Sequence, residues 1–155
     1  MNPEELQQIK ETAEEILKKM TITDFSLEHA IEENNGNEVV ALNVQLAEPQ
    51  FLIGQGGQTL LDVERILRIV LNKKLKKVFY VKLDINDYKK KKIEHLQLMA
   101  RETADEVTAT KTKKTLPPMS AYERRIVHME LQERNDVSTE SQGEGFEKSI
   151  IISPK

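Results

Sequence analysis

Residues 53–60 of the chain are Ile-Gly-Gln-Gly-Gly-Gln-Thr-Leu, a glycine-rich segment that leads into a predicted helix. Glycine has no Cβ, so the N–H groups of such a turn can approach an anion closely, and the following helix directs its positive end to the same place. The segment is not a P-loop, which needs four residues between its glycines and then Lys-Ser/Thr, and Thr59 occupies the third glycine position of the dinucleotide-binding motif. The residues alone leave two interpretations open: an ordinary flexible turn, or a turn that packs against the sugar-phosphate backbone of a single strand.

The segments before this turn predict a helix and a β-hairpin. Asn2 is a suitable N-cap, Pro3 suits the first helical position, and apolar residues follow at helical spacing. Two runs of alternating apolar residues then flank Asn-Asn-Gly-Asn at 34–37, and Asn-Gly is a strong hairpin signal because both residues tolerate positive φ. The apolar positions are Leu6, Ile9, Ala13, Ile16, Leu17 and Met20 in the helix, Phe25, Leu27 and Ile31 in the first run, and Val40, Leu42, Val44 and Leu46 in the second.

After the glycine-rich turn, the pattern predicts a helix over about 58–72 and a strand over 78–85. Before the turn, Pro49 interrupts the strand pattern and a short apolar run at 51–53 follows it. The residues expected in the core are Leu60, Val63, Leu67 and Val70 from the helix and Phe79, Val81, Leu83 and Ile85 from the strand.

The remaining residues predict a second small α+β unit, and we expect the two units to be divided near residue 86. Ser120 and Glu123 have the spacing of a capping box, which indicates the start of a helix. The predicted elements are a helix over about 87–110, a short strand over 113–116, a helix from Ser120 to about residue 133, and strands over 137–141 and 150–152. The first of these helices has a thin apolar seam of Ile93, Leu96, Ala100, Ala104 and Val107.

The amino-acid composition excludes several classes of protein and of functional site. The 155 residues include no Cys, which excludes a disulfide framework, a thiolate zinc site and a cysteine nucleophile. Aromatic residues make up 5% and Trp is absent, so we expect no rows of rings for base stacking. Apolar runs are short and the N-terminus is acidic, so we expect no membrane insertion, no signal peptide and a cytoplasmic location.

The net charge of −3 is unevenly distributed along the chain. Residues 1–48 have a net charge of −8, residues 49–114 of +7, and residues 115–155 of −2. A polyanion can therefore bind a locally positive surface even though the whole chain is acidic. Charge alone leaves open the alternative that the lysines simply solvate helix faces.

Arg124 and His128 are four residues apart on a predicted helix, so their side chains leave the same face. Arginine offers a planar fork that holds phosphate oxygens, and histidine adds a second donor. Arg125 points elsewhere on this helix and is a weaker candidate. The alternative is structural: Arg124 pairs with Glu123, Glu130 or another carboxylate, and His128 is a partly buried core residue whose hydrogen bonds are satisfied within the protein.

The sequence offers no catalytic or metal site. Nothing in the sequence suggests that His29 and His95 are more than surface or packing residues, and no strained nucleophile turn accompanies the Ser, His and Asp residues. We expect no enzymatic activity, no metal and no cofactor.

Residues 53–60 resemble the Ile-Gly-x-x-Gly-x-x-Leu signature of KH domains, and the order α-β-β-α-α-β resembles the type II arrangement of bacteria. KH domains hold about four nucleotides of single-stranded RNA or DNA between this loop and an apolar groove. The resemblance implies a KH domain over residues 1–86, with a small sheet covered by helices on one face. The expected RNA-binding residues are Ile53, Gly54, Gln55, Gly56, Gly57, Gln58 and Leu60 around the loop, and Arg65, Arg68 and Lys73 along the next helix.

Residues 119–128 and 137–145 resemble the small α+β domain that is named for its Arg-x-x-x-His motif. A KH domain followed by that domain is similar to the layout of the bacterial Jag family of RNA-binding proteins (SpoIIIJ-associated, KhpB-type). The resemblance implies an Arg-x-x-x-His domain over residues 87–155. Its expected nucleic-acid contacts are Arg124 and His128, with Arg125, Lys113, Lys114 and Lys148 as helpers.

The family resemblance implies a non-enzymatic regulator that binds single-stranded RNA or DNA, is linked to cell elongation or division, and has a separate small KH protein as a partner. One alternative is a protein-interaction adaptor, because Gln55 and Gly56 give the interior of the loop no charge. A second alternative, a nucleotide-handling enzyme, lacks both Lys-Ser/Thr after the turn and an acidic cluster for a metal.

Overall fold

The computed structural model describes residues 1–155, which form two compact units, Met1–Lys89 and Lys90–Lys155. Both units are α+β, as predicted. No helix combines the length and the apolar character that crossing a bilayer requires. In chain order the elements are α1 (Pro3–Lys19), β1 (Phe25–Asn34), β2 (Asn37–Leu46), α2 (Gln50–Ile53), α3 (Gln58–Leu75), β3 (Tyr80–Ile85), α4 (Tyr88–Thr110), β4 (Lys114–Thr115), α5 (Ala121–Leu131), β5 (Val137–Gln142) and β6 (Ser149–Pro154), with short 3-10 turns at Gln55–Gly57 and Gly145–Glu147.

The helix α1 begins at the predicted cap. The Asn2 side chain accepts a hydrogen bond from the Glu5 N–H at 2.8 Å, and the Glu5 carboxylate accepts one from the Asn2 N–H at 2.9 Å. This capping box gives partners to N–H groups that the first turn of a helix leaves unpaired. The helix buries Ile9, Ala13 and Leu17 against the sheet and α3.

The predicted hairpin is confirmed. Strands β1 and β2 pair antiparallel, with Asn34 opposite Asn37, and Asn35 and Gly36 have φ of 52° and 78°. Positive φ at both central residues defines a type I′ turn, whose twist matches that of the flanking strands. Strand β3 pairs parallel to β2 and completes a sheet of order β1-β2-β3.

The core of the first unit lies on one face of this sheet, beneath α1 and α3. One predicted position is wrong: Val70 is exposed, and Leu71 is buried in its place. Neighbouring helical positions differ by about 100° in direction, so only one of the two can point at the sheet. Ile31 shares a face with Leu27, but it lies near the hairpin turn and remains 45% exposed.

Residues that the sequence pattern left unassigned form the short helix α2. The Pro49 carbonyl oxygen accepts hydrogen bonds from the N–H groups of Leu52 and Ile53 at 3.1 and 3.0 Å, and Leu52 is buried. With α2 included, the first unit has the order α-β-β-α-α-β that is typical of type II KH domains.

The second unit has a three-stranded antiparallel sheet of order β4-β6-β5. Helices α4 and α5 supply buried side chains to one core with this sheet, and α5 ends at Leu131 rather than near residue 133. The core residues are Ala100, Ala104, Val107, Leu116, Val127, Leu131, Val137, Ile150 and Ile152.

A charged cluster fixes the turn between α5 and β5 against α4. Arg134 donates to both carboxylate oxygens of Asp136 at 2.9 and 2.6 Å and to Asp105 at 2.7 Å, and Thr108 donates to Asp136 at 2.7 Å. Hydrogen bonds from Arg134 and Thr108 hold the pKa of the Asp136 carboxyl well below its usual range. These hydrogen bonds therefore attach the residues just before β5 to the C-terminal part of α4.

Candidate nucleic-acid interface

The glycine-rich loop joins α2 to α3 through three residues with positive φ. Gly54, Gly56 and Gly57 have φ of 70°, 61° and 83°. Gly54 ends α2, where its N–H donates to the Gln50 carbonyl oxygen at 2.9 Å, and Gly57 immediately precedes α3. Residues other than glycine rarely adopt this conformation, so the local backbone explains why glycine recurs here.

Only part of this loop is accessible to a ligand. A Cβ on Gly54 would lie 2.1 Å from Thr59 Oγ1, and one on Gly57 would lie 2.9 Å from Tyr88 Cε1. Gly56 has no atom within 4 Å of that position. The open edge of the loop is therefore Gln55–Gly56, and the N–H groups of these two residues donate to no atom of the protein.

The predicted groove residues lie deeper than the sequence suggested. Leu60 is 1% exposed and belongs to the core, so it cannot contact a strand directly. Ile53 is half-buried and packs against the same core. Gln58 is exposed, and its amide donates to Asp62 at 3.1 Å.

The predicted basic residues of α3 do not form one patch. Arg65 and Arg68 are exposed, about 10 and 15 Å along the helix from Gln58, whereas Lys73 lies about 22 Å away and about 140° around the helix from Arg68. Arg65 also lies 3.6 Å from the Asp62 carboxylate. The two arginines therefore lie nearer the loop than Lys73 does.

In the second unit, the His128 ring lies between α5 and β5. Its Nδ1 is 2.7 Å from Thr139 Oγ1, and its Nε2 is 3.1 Å from Ser141 Oγ. Thr139 and Ser141 are two residues apart on β5, so both hydroxyls are on the face that α5 covers. Burial first, and the Arg124 charge second, lower the pKa of His128 from its ordinary value, which favours the neutral ring.

The guanidinium of Arg124 has no carboxylate partner. Its Nη1 donates to the Met119 carbonyl oxygen at 2.7 Å. The two predicted alternatives are both engaged elsewhere: Glu123 pairs with Lys92 at 3.2 Å, and Glu130 with Arg101 at 2.6 Å. The structural interpretation of Arg124 as an ion-pair residue is therefore wrong.

Arg124 and His128 line one open cleft of about 430 Å³ between α5 and β5. Arg125 lines the same cleft, contrary to the expectation that it points elsewhere. The full lining is Ala121, Arg124, Arg125, His128, Met129, Gln132, Thr139 and Ser141. The two arginines give this cleft donors for an anion, the imidazole and the two hydroxyls are hydrogen-bonded to one another, and the lining includes no carboxylate.

The three predicted helper lysines differ in position. Lys114 pairs with Glu106, and its strand β4 lies on the opposite side of β6 from β5, so it is not part of the cleft. Lys113 is exposed next to it. Lys148 is different, because its carbonyl oxygen accepts a hydrogen bond at 3.1 Å from the N–H of Met119, the residue that Arg124 contacts.

Sequence comparison places these features in a known family. Residues 94–154 match the family model of the R-3-H domain, the domain named for its Arg-x-x-x-His motif. The chain is 34% identical over 132 residues to the RNA-binding protein KhpB of Clostridium symbiosum, an alignment that covers 85% of this chain and 60% of the relative. It is 36% identical over 106 residues to KhpB of Bacillus subtilis, covering 67% and 51%. It is 30% identical over 117 residues to KhpB of Lactiplantibacillus plantarum, covering 76% and 36%.

The chain is a homologue of the KhpB (Jag-type) proteins. It spans 60% or less of the length of these curated relatives. The segment that matches the Arg-x-x-x-His domain includes all of α5, β5 and β6, so the Arg124–His128 pair lies within it.

Sequence reasoning missed Thr139 and Ser141, although β5 contains the signal that finds them. Val137, Thr139 and Ser141 alternate along one strand, and Val137 is buried, so the next two positions must face the same helix. Met119 gave no such signal, because it acts through its backbone carbonyl.

Proposed function

We propose that this chain binds single-stranded RNA, with a KH domain over residues 1–86 and an Arg-x-x-x-His domain over residues 87–155. The observation that carries the proposal is the arrangement of Arg124, which lines an open cleft with His128 and has no carboxylate partner. A guanidinium in that state keeps most of its five donors for a ligand, and its planar fork matches two phosphate oxygens.

The Gln55–Gly56 edge is proposed as a second contact. Its two unpaired N–H groups can donate to a phosphate or a base, and the start of α3 adds the positive end of a helix dipole. The loop carries no charge of its own, and Asp62 lies close to Gln58 and Arg65. This contact is therefore weak by itself, and the tethered second domain raises its effective concentration on the same strand.

The choice of RNA rests on the relatives, each of which is named an RNA-binding protein. On the family resemblance, we extend the proposal to a non-enzymatic cytoplasmic regulator linked to cell elongation or division, with a small KH protein as a partner. The absence of a carboxylate from the cleft agrees with a phosphate ligand, and single-stranded DNA offers the same phosphates.

Fluorescence anisotropy with a labelled single-stranded RNA tests the proposal. Binding at low salt is expected, with log affinity falling against log salt by about 0.7 for each phosphate that is neutralised. Unlabelled single-stranded RNA, single-stranded DNA and duplex RNA serve as competitors. No binding at low salt, or an affinity that does not change with salt, overturns the proposal.

A protein-interaction adaptor remains the second candidate, because α3 has an exposed apolar strip. Ile66, Ile69 and Val70 are 50%, 63% and 37% exposed at spacings of three and four residues. Capture of a protein partner that survives nuclease treatment and is lost in Ile69→Asp favours this function. Partner capture that disappears with nuclease favours RNA.

A further inference from the structure

Phe146 is the most exposed aromatic side chain of the chain, and its ring is fully accessible. Aromatic residues make up only 5% of the sequence. A phenylalanine ring in water forgoes the stabilisation that burial gives it, and full exposure leaves both faces of this ring free to contact a ligand.

The loop that holds Phe146 is closed on itself. The Glu147 N–H donates to the Glu144 carbonyl oxygen at 3.2 Å, and the Lys148 N–H donates to that of Gly145 at 3.4 Å. Gly143, at φ of 100°, is packed so closely that a Cβ there would lie 2.9 Å from the Glu147 carbonyl oxygen. The ring is therefore presented outward by a compact turn, which lowers the entropy cost of binding to it.

One end of this loop is hydrogen-bonded to a residue of the cleft, and the other end is connected to Arg124 through Met119. Before the loop, Ser141 contacts the His128 ring at 3.1 Å. After the loop, Lys148 accepts from Met119, which in turn accepts from the Arg124 guanidinium at 2.7 Å. Phe146 is two residues from Lys148, so their Cα atoms are within about 7 Å of each other.

We propose that Phe146 stacks on a nucleobase of the strand whose phosphate lies in the Arg124–His128 cleft. This inference rests on the proposed function and deepens it, because it adds base contact to phosphate contact. Every nucleobase has a π-face, so the contact accepts all four bases. It distinguishes a single-stranded nucleic acid from polyanions without bases, which the cleft would hold equally well.

The charges of the loop agree with this orientation. Glu144 and Glu147 flank Phe146, are exposed and form no ion pair. Carboxylates repel phosphates, so a strand that approaches the loop does so with a base and keeps its backbone toward Arg124. Lys148 is the one cation among residues 143–148.

The absence of Trp from the chain makes Phe146→Trp a specific probe. Stacking of a base on the new indole is expected to quench its fluorescence as single-stranded RNA is titrated at low salt. RNA of the same length with abasic sites, and inorganic polyphosphate, are expected to bind without that quenching. Phe146→Leu, which keeps an apolar side chain but removes the ring, is expected to weaken RNA binding by at least about fivefold in anisotropy.

The outcomes separate the two proposals. RNA that binds Phe146→Trp without quenching, equal quenching by abasic RNA, or unchanged affinity in Phe146→Leu overturns the stacking contact while RNA binding stands. Failure of the wild-type chain to bind RNA in anisotropy overturns the proposed function, and the stacking contact with it. Circular dichroism and thermal unfolding of each variant show that the loop substitutions leave the fold intact.

Discussion

The guanidinium of Arg124 donates a 2.7 Å hydrogen bond to the carbonyl oxygen of Met119 and contacts no carboxylate. The carbonyl fixes the side chain without neutralising it, because a carbonyl oxygen carries only a partial charge. Glu123 and Glu130, the nearest acidic residues along α5, are paired with Lys92 and Arg101. The second unit thus keeps one arginine positioned and charged at the mouth of a cleft, which is the condition for binding a phosphate.

Replacing Gln55 tests whether the open edge of the glycine-rich loop contacts the strand. Gln55 is exposed and has no positive φ, so Gln55→Lys and Gln55→Glu should both fold normally. We expect Gln55→Lys to raise RNA affinity and to steepen the salt dependence by about 0.7 in log–log slope, and Gln55→Glu to do the opposite. Equal affinities for the two variants would place the strand away from this loop.

The two inner glycines of the loop should differ in their effect on stability. A Cβ at Gly57 collides with the Tyr88 ring in addition to straining a φ of 83°, whereas a Cβ at Gly56 meets only the strain of its φ of 61°. We expect Gly56→Ala to lower the free energy of unfolding by about 1–2 kcal/mol, and Gly57→Ala to lower it by more. Urea unfolding of the two variants measures this, and a smaller loss in Gly57→Ala would contradict the packing described for Tyr88.

RNA affinity should rise as the pH falls through the titration range of His128. In the free protein, burial and the Arg124 charge lower the pKa of this ring below 6.5. A phosphate in the cleft favours the imidazolium and raises that pKa, so RNA binding takes up a proton and strengthens between about pH 7.5 and 5.5. Anisotropy at constant ionic strength measures the change.

His128→Gln is the control for this pH dependence, because it keeps a hydrogen-bonding side chain and does not titrate. We expect its affinity to be nearly constant over the same range. The free energy of unfolding should have the opposite trend. Because the pKa of His128 is lower in the folded state than in the unfolded state, the unfolded state takes up a proton first as the pH falls. The stabilisation that His128 gives the folded protein is therefore complete above about pH 6.5 and is lost below it. Affinity that weakens toward acidic pH in well-folded protein would show that no phosphate lies beside the ring.

The elements that sequence patterns predicted correctly are those that depend on residues close to each other in the sequence. The capping boxes at Asn2 and Ser120 and the Asn35-Gly36 turn depend on residues within a few positions of each other. Arg124 and His128 share a face because helical geometry requires it. These features need no knowledge of what packs against them.

The predictions that are wrong or missing concern residues whose burial or contacts depend on an element distant in the sequence. Val70 and Leu71 are both apolar, and the packing of α3 on the sheet determines which of them is buried. The helix α2 is a single turn, too short for a periodic pattern to show. Lys114 forms an ion pair with Glu106 on α4, and His128 forms hydrogen bonds with residues of β5. Both contacts exist only after the second unit has folded, so local sequence patterns do not predict them.

The salt dependence of RNA binding in Arg124→Ala tests the central claim most directly, with Arg101→Ala as the matched control. Both variants remove one positive charge from the second unit, but Arg101, on α4, is paired with Glu130 and does not line the cleft. Loss of a charge-assisted phosphate contact of about 1.5–3 kcal/mol predicts roughly 10- to 150-fold weaker binding in Arg124→Ala and a salt slope reduced by about 0.7, with Arg101→Ala close to wild type. Equal affinities and slopes for the two variants, in protein that unfolds at the wild-type temperature, would contradict the assignment of the cleft as the phosphate site.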